Sequence, residues 1–396
     1  MKIKVGVMFG GKSVEHEISI ISALQAIASM DSEKYDVIPI YITKNNEFYV
    51  GPSVGEIGSY VNIPALLKES TRVILVNDGG LVKLIKYPAK RFGSSYVDYI
   101  DVAFPIVHGT NVEDGTLQGF LSMLDIPYVG CDVVSSAVGM DKYVMKTVFK
   151  DNDIPVLPCS VANVKEYTKN PEAVISAIES KTTYPVIVKP VNLGSSVGIR
   201  KAKNREELIE ALDYAFTFSI RVLVENAITK LREINCSVLG DYENAEASEC
   251  EEPFANDEIL SYQDKYAGGT KSGKSGMASL KRKIPADISP ETREEIRAMA
   301  VKAFKALGCS GVSRIDFMID ESNGNIYLNE INTIPGSLAF YLWEPIGVKY
   351  SELLDRMISL ALKRERENKA ISFSFDSNIL ETASFGGSKG SKGAKL

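Results

Sequence analysis

The chain has 396 residues, 45% hydrophobic and 24% charged, and 51 acidic against 45 basic side chains leave a net charge of −6. That length carries two or three domains with ample core, and an acidic balance without a basic, aromatic-interleaved stripe argues against a nucleic-acid partner. The longest apolar runs are strand-sized, too short for a helical membrane span.

Residues 2–9 read as a buried strand, entered from Met1 without a signal-peptide core. Gly10-Gly11 and a helix over 17–30 follow. Residues 35–43, 72–76 and 98–107 read as further strands, 51–68 as less regular, and 113–124 as a helix. Strands alternating with helices predict a parallel, doubly wound N-terminal domain. A helix near 141–150 and the punctuation of Pro155 and Pro158 lead into a second α/β unit. It comprises a helix over 166–181, strands at 185–190 and 197–202, a helix over 205–216 and a strand at 221–225. A third unit holds a strand at 234–239, a long loop over 252–283, a helix over 290–307, a hairpin and a helix over 350–366. The last thirty residues are polar and end GGSKGSKGAKL, which reads as a disordered low-complexity tail.

Five cysteines, Cys131, Cys159, Cys236, Cys250 and Cys309, are dispersed with no CxxC pair. They read as reduced cytosolic thiols used as small core residues. With only two histidines, His16 and His108, a His-rich zinc site is excluded and a nucleophilic triad has little room.

The most informative stretch is VSRIDFMIDESNGNIYLNEINTIPG, residues 312–336. Asn323-Gly324 is a hairpin turn signal between two apolar, β-branched runs. Alternation puts Arg314 and Asp316 on one face, and Glu330 and Asn332 share a face of the return strand, with Glu330 within about one residue of opposite Asp316. Two carboxylates forced together call for a hard cation, and oxygen-only ligands suit Mg²⁺. Elsewhere, Gly194 to Gly198 makes a flap of free amides beside Lys189, which suits a triphosphate. Glu225 to Ile228, where the chain changes unit, reads as an adenine hinge. Glu15 and His108 lie at the C-terminal edge of parallel strands, where doubly wound folds bind ligands. Two literal GxxxxGK[ST] matches, at 6–13 and 268–275, lack the strand–loop–helix context of a phosphate loop.

These segments converge. GGKSVEHEIS, HGTNVEDGTLQG, GMDK, VIVKPVNLGSSVG, SRIDFMID and NEINTIPG occur in the order and spacing of D-alanine–D-alanine ligases, and from residue 2 to about 363 the chain resembles that ATP-grasp family. The resemblance implies an α/β N-terminal domain (1–130), central (131–227) and C-terminal (228–366) ATP-grasp lobes, the latter α+β, and a tail (367–396). It implies ATP and two Mg²⁺ or Mn²⁺ as cofactors, D-alanine and a second amino acid as partners, a bacterial cytosol and a usual homodimer. Glu15 then resembles the residue that holds the first amino group, with His108 nearby. Lys142 and Lys189 resemble phosphate-binding lysines, with Ser195 and Ser196 on the flap. Lys265 and Tyr266 resemble the long-loop pair, Tyr266 meeting Ser195. Glu225 and Ile228 fall at the adenine hinge, and Glu233 resembles the ribose carboxylate. Asp316, Glu330 and Asn332 match the metal ligands, while Arg314 and the Gly336 amide match the groups that stabilise the tetrahedral intermediate. One departure bears on the acceptor: Tyr341 stands where the family usually has an acceptor-binding serine. An ATP-grasp ligase with a different acceptor and a silent nucleotide-binding protein are the alternatives.

Overall fold

The strand β1 (Ile3–Gly10) is buried over most of its length, as apolar residues on both faces of a central parallel strand require. It pairs in parallel with β2 (Tyr35–Ile42) on one side and β7 (Val102–Pro105) on the other. Beyond β2 the sheet continues antiparallel through β3 (Phe48–Val50), β4 (Thr71–Asp78), β5 (Leu81–Lys86) and β6 (Tyr96–Ile100). The computed structural model describes residues 2–194, 196–254 and 282–372. Ser195, Lys265, Tyr266, the 268–275 pattern and nearly all of the expected tail lie outside them.

The N-terminal sheet is thus mixed: β2, β1 and β7 run parallel at one end, and four antiparallel strands continue it from β2. The single strand expected over 98–107 is two. Asp101 separates β6 from β7, and its carboxylate and amide both bond the backbone of Lys4. The first half of that segment pairs with β5 and the second with β1. The helix expected over 166–181 is also two, Val164–Lys169 and Pro171–Glu179. Pro171 cannot continue a helix and disfavours helical backbone at Asn170, whose side chain instead caps the second helix. The helix expected from 113 begins at Thr116, because Gly115 takes a left-handed φ of 92°.

A four-stranded antiparallel sheet follows, in the order β10 (Arg200–Ala202), β9 (Val186–Pro190), β11 (Arg221–Asn226), β8 (Cys159–Asn163). The last sheet, also antiparallel, has the order β14 (Arg282–Lys283), β13 (Ala245–Pro253), β12 (Leu231–Gly240), β15 (Gly311–Asp320), β16 (Asn325–Asn332). Cys236 and Cys250 face each other across β12 and β13, and all five thiols are free.

Sequence order and packing differ at one decisive place. Trp343, Leu353 and Leu354, from the end of the chain, share the core of β1, β2 and β7. The segment after β16 is therefore drawn against the N-terminal sheet. Among the described residues no helix is long and apolar enough to cross a membrane. Leu328, fully buried on β16, anchors the hairpin in the core behind it. Leu328→Ala should cost about 2–5 kcal/mol in denaturant unfolding; a change within about 0.5 kcal/mol, as at ordinary surface sites, would contradict this packing.

Candidate active site

On the hairpin, Arg314 pairs with Asn332 and Asp316 with Glu330, so all four side chains share one face. A bulge after Asp316 leaves Asn329 extra. The row continues inward, because Asn235 of β12 faces both Asp316 and Glu251 of β13. Glu330, Asp316, Asn235 and Glu251 thus cross four strands. Positive groups answer each carboxylate. The Arg314 fork donates to both Asp316 oxygens at 2.7 Å, and the Lys142 ammonium lies 3.4 Å from Glu330. Asn332 Nδ2 donates to Asp316 at 3.1 Å. Glu251 accepts from Asn235 at 3.0 Å, Arg282 at 2.8 Å and the Tyr341 hydroxyl at 3.2 Å.

Among the described residues, no three His, Cys, Asp or Glu side chains cluster closely enough to hold a metal alone. Two facing carboxylates and the Asn332 amide form a hard, oxygen-donor set, and that chemistry fits a divalent cation of the Mg²⁺ class.

Lys142 opens the helix Lys142–Asp151, whose first amides are capped by Asp141. Its ammonium also donates to the Leu193 carbonyl at 2.6 Å, at the foot of the glycine-serine flap. Lys189, near the end of β9, donates to Asn329 at 3.1 Å and pairs with Glu225. Lys146 meets the same carboxylate at 2.7 Å. Burial alone would raise the Glu225 pKa, but the two lysines outweigh it and hold the group at about 2. Burial likewise opposes the Lys189 charge, and Glu225 restores and raises it. The Glu225 carboxylate is therefore engaged by lysines, and 226–228 supply the hinge wall of the cavity.

At the far end, the loop after β7 brings His108, Gly109 and Glu113 beside Glu15. Gly109 has φ +83°, and a Cβ there would lie 2.3 Å from Ser13 Oγ and 2.9 Å from Glu15, so only glycine lets the two loops approach. His108 Nδ1 donates to the Ile334 carbonyl at 2.9 Å, and its Nε2 faces the Ser22 hydroxyl at 3.0 Å. Burial lowers the His108 pKa, so the ring is neutral near pH 7. Both ring nitrogens hold protein atoms rather than the cavity. His16 is satisfied as well, between Gly11 O and Tyr41 OH. Glu113 accepts from Gly109 N at 3.1 Å and Ile334 N at 3.0 Å. Burial first, and the charge of Glu15 second, push its carboxyl up to about 8 against those two donors.

One cavity gathers Glu15, His108, Lys142, Lys189, Ser196, Glu225, Ile228, Glu233, Arg314, Asp316, Glu330, Asn332 and Gly336. Tyr341 is absent from its wall. The phenol lies behind Glu251 with the Arg282 guanidinium 4.0 Å from its ring centre, and those two residues face the cavity instead. Sequence reasoning missed Asn235, Glu251 and Arg282. Glu251 left one trace, an acidic pair before Pro253 at the end of its strand.

Comparison with known proteins shows what the whole chain is similar to. Residues 4–131 match the family described as D-ala D-ala ligase N-terminus, and residues 148–359 match D-ala D-ala ligase C-terminus. The chain is 42% identical over 379 residues to the D-alanine–D-alanine ligase of Acetivibrio thermocellus, covering 93% of this chain and 98% of the relative. It is 43% identical over 380 residues to that of a Thermoanaerobacter species, covering 92% and 98%. Among solved structures, the D-alanine-D-alanine ligase from Coxiella burnetii superposes with a TM-score of 0.76 at 30% identity, covering 93% and 96% of the two chains. The VanG D-Ala:D-Ser ligase from Enterococcus faecalis gives 0.76 at 32% identity, covering 91% and 100%.

Two outcomes test the electrostatics. Glu225→Gln strands two buried lysines and should destabilise the fold by about 3–5 kcal/mol in denaturant titration; a loss below about 1 kcal/mol would refute the pairing. For Glu113, a folded pKa of about 8 against an ordinary 4.5 means its contribution is full below pH 4.5 and is lost as pH rises through 8. Over that window the melting temperature of wild type should fall more steeply than that of Glu113→Gln. Parallel curves would contradict it.

Proposed function

The chain belongs to the D-alanine–D-alanine ligase family, and from that premise we propose how its own residues carry out the reaction. It is an ATP-dependent ligase that makes a dipeptide for cell-wall precursors. The observation that carries the assignment of roles is the facing pair Asp316 and Glu330, balanced by Arg314 and Lys142, on the same cavity as Glu15.

Glu15 takes the amino group of the first D-alanine and leaves its carboxylate directed toward the nucleotide. Lys142 and Lys189 bind phosphate oxygens as fixed point charges. Asp316, Glu330 and Asn332 would hold Mg²⁺ or Mn²⁺, which supplies the charge neutralisation that lets a carboxylate approach a γ-phosphate. Ile228 and the neighbouring main chain receive the adenine, and Glu233 the ribose. Transfer of the γ-phosphoryl group from ATP to the carboxylate of the first D-alanine breaks the β,γ P–O bond and gives an acyl phosphate and ADP. The amine of the second substrate attacks its carbon, Arg314 and the Gly336 N–H take the developing oxyanion, and phosphate leaves.

The second substrate is proposed to be D-alanine. D-Serine is the second reading, favoured by the similarity to a D-Ala:D-Ser ligase. The chemistry and the free thiols suit a bacterial cytosol. Phosphate release from ATP, measured with D-alanine and a panel of acceptors, tests the reading; no stimulation by D-alanine would overturn it. Glu330→Gln should lower kcat by about 10²-fold or more while cooperative unfolding is kept. Near-normal turnover would mean the metal site lies elsewhere.

A further inference from the structure

Segment 334–337, which carries the Gly336 amide, is gripped from the N-terminal sheet domain at four points. Ile334 N–H donates to Glu113 at 3.0 Å, and the Ile334 carbonyl accepts from His108 Nδ1 at 2.9 Å. Ser337 N–H donates to Ser22 Oγ at 3.0 Å, and the Ser337 hydroxyl donates to Gln25 at 2.8 Å. A carbonyl only accepts, so Nδ1 carries the His108 proton. Nε2 then accepts from the Ser22 hydroxyl, whose oxygen in turn accepts from Ser337. The chain of donors runs one way without conflict. Immediately beyond, Ser337, Leu338 and Ala339 all have left-handed φ of 51–52°. Non-glycine residues are strained there, because Cβ crowds the following carbonyl oxygen. Such strain persists only where the surroundings over-determine it.

We propose that Glu113 and His108 are positioning residues for the oxyanion step: from the domain that holds Glu15, they fix the two successive peptide groups on either side of the Ile334 Cα and thereby aim the Gly336 N–H. Glu113 does this from a loop it also closes, since its second oxygen accepts from Gly109, which abuts Glu15. The proposal rests on the ligase reading and on Gly336 meeting the oxyanion.

Even as a neutral acid Glu113 keeps two oxygens able to accept, whereas a glutamine sets an NH₂ donor against one of the two amides. Glu113→Gln should therefore lower kcat about 10- to 100-fold. Affinity for a phosphinate dipeptide analogue, the tetrahedral probe, should fall by the same factor, with KM for ATP and D-alanine within about 3-fold. His108→Ala should behave alike, and His108→Asn, whose amide N–H can reach the Ile334 carbonyl, should recover part of the loss. That pair decides the matter should the Gln variant fail to fold. Unchanged analogue affinity, an equal loss of ATP and D-alanine affinity, or no recovery with asparagine would overturn the proposal. Wild type that makes no dipeptide at all would instead overturn the ligase chemistry beneath it.

Discussion

Two carboxylates set directly opposite on neighbouring strands are the constraint on which this site depends. Directly facing side chains on an antiparallel pair sit about 5 Å apart, and like charges that close are destabilising without a positive partner. Asp316 and Glu330 are in that position, and the surroundings answer with one cation each, Arg314 and Lys142. The answer to Asp316 has a second effect. A guanidinium held at both teeth by one carboxylate cannot rotate, so the remaining face of Arg314 has a fixed direction. Orientation and neutralisation come from a single interaction.

Three sheets contribute to one cavity, and two buried polar nodes keep them in register. Lys189, Asn329 and Glu225 tie the four-stranded sheet to the hairpin. His108, Glu113 and Ser22 tie the N-terminal sheet to the segment after β16. That second tie is reinforced by packing, since Trp343 and the helix Tyr350–Lys369 complete the N-terminal core. Loops that face the proposed first substrate and the proposed oxyanion are thereby fixed to each other, although more than two hundred residues separate His108 from Ile334 in sequence.

What could be read from the chain alone was what local rules govern. The hairpin followed from alternation and from Asn323-Gly324, and Glu330 stands directly across from Asp316. The helix Arg205–Phe216 has the bounds expected of it. What escaped depends on register between distant strands. Asn235 joins the acidic row only because β12 pairs with β13 and β15 at one offset. Glu225 fell at a hinge by its place in the chain, yet Lys146, 79 positions earlier, engages it from another element. Tyr341 was placed by counting from Pro335-Gly336, and the left-handed run at 337–339 turns it toward Glu251. Parallel order was inferred for the whole N-terminal sheet, although alternation of elements cannot tell a hairpin from a crossover when the intervening segment is short.

The central claim is that the facing carboxylates, with Asn332, hold the divalent ions that ATP needs. Counting Mn²⁺ by electron paramagnetic resonance, at saturating non-hydrolysable ATP analogue, addresses it directly. Wild type is expected to bind two ions per chain with the nucleotide, and the Asp316→Ala/Glu330→Ala double variant to lose them from the protein while staying folded. An unchanged ion count and affinity in the double variant would contradict the account.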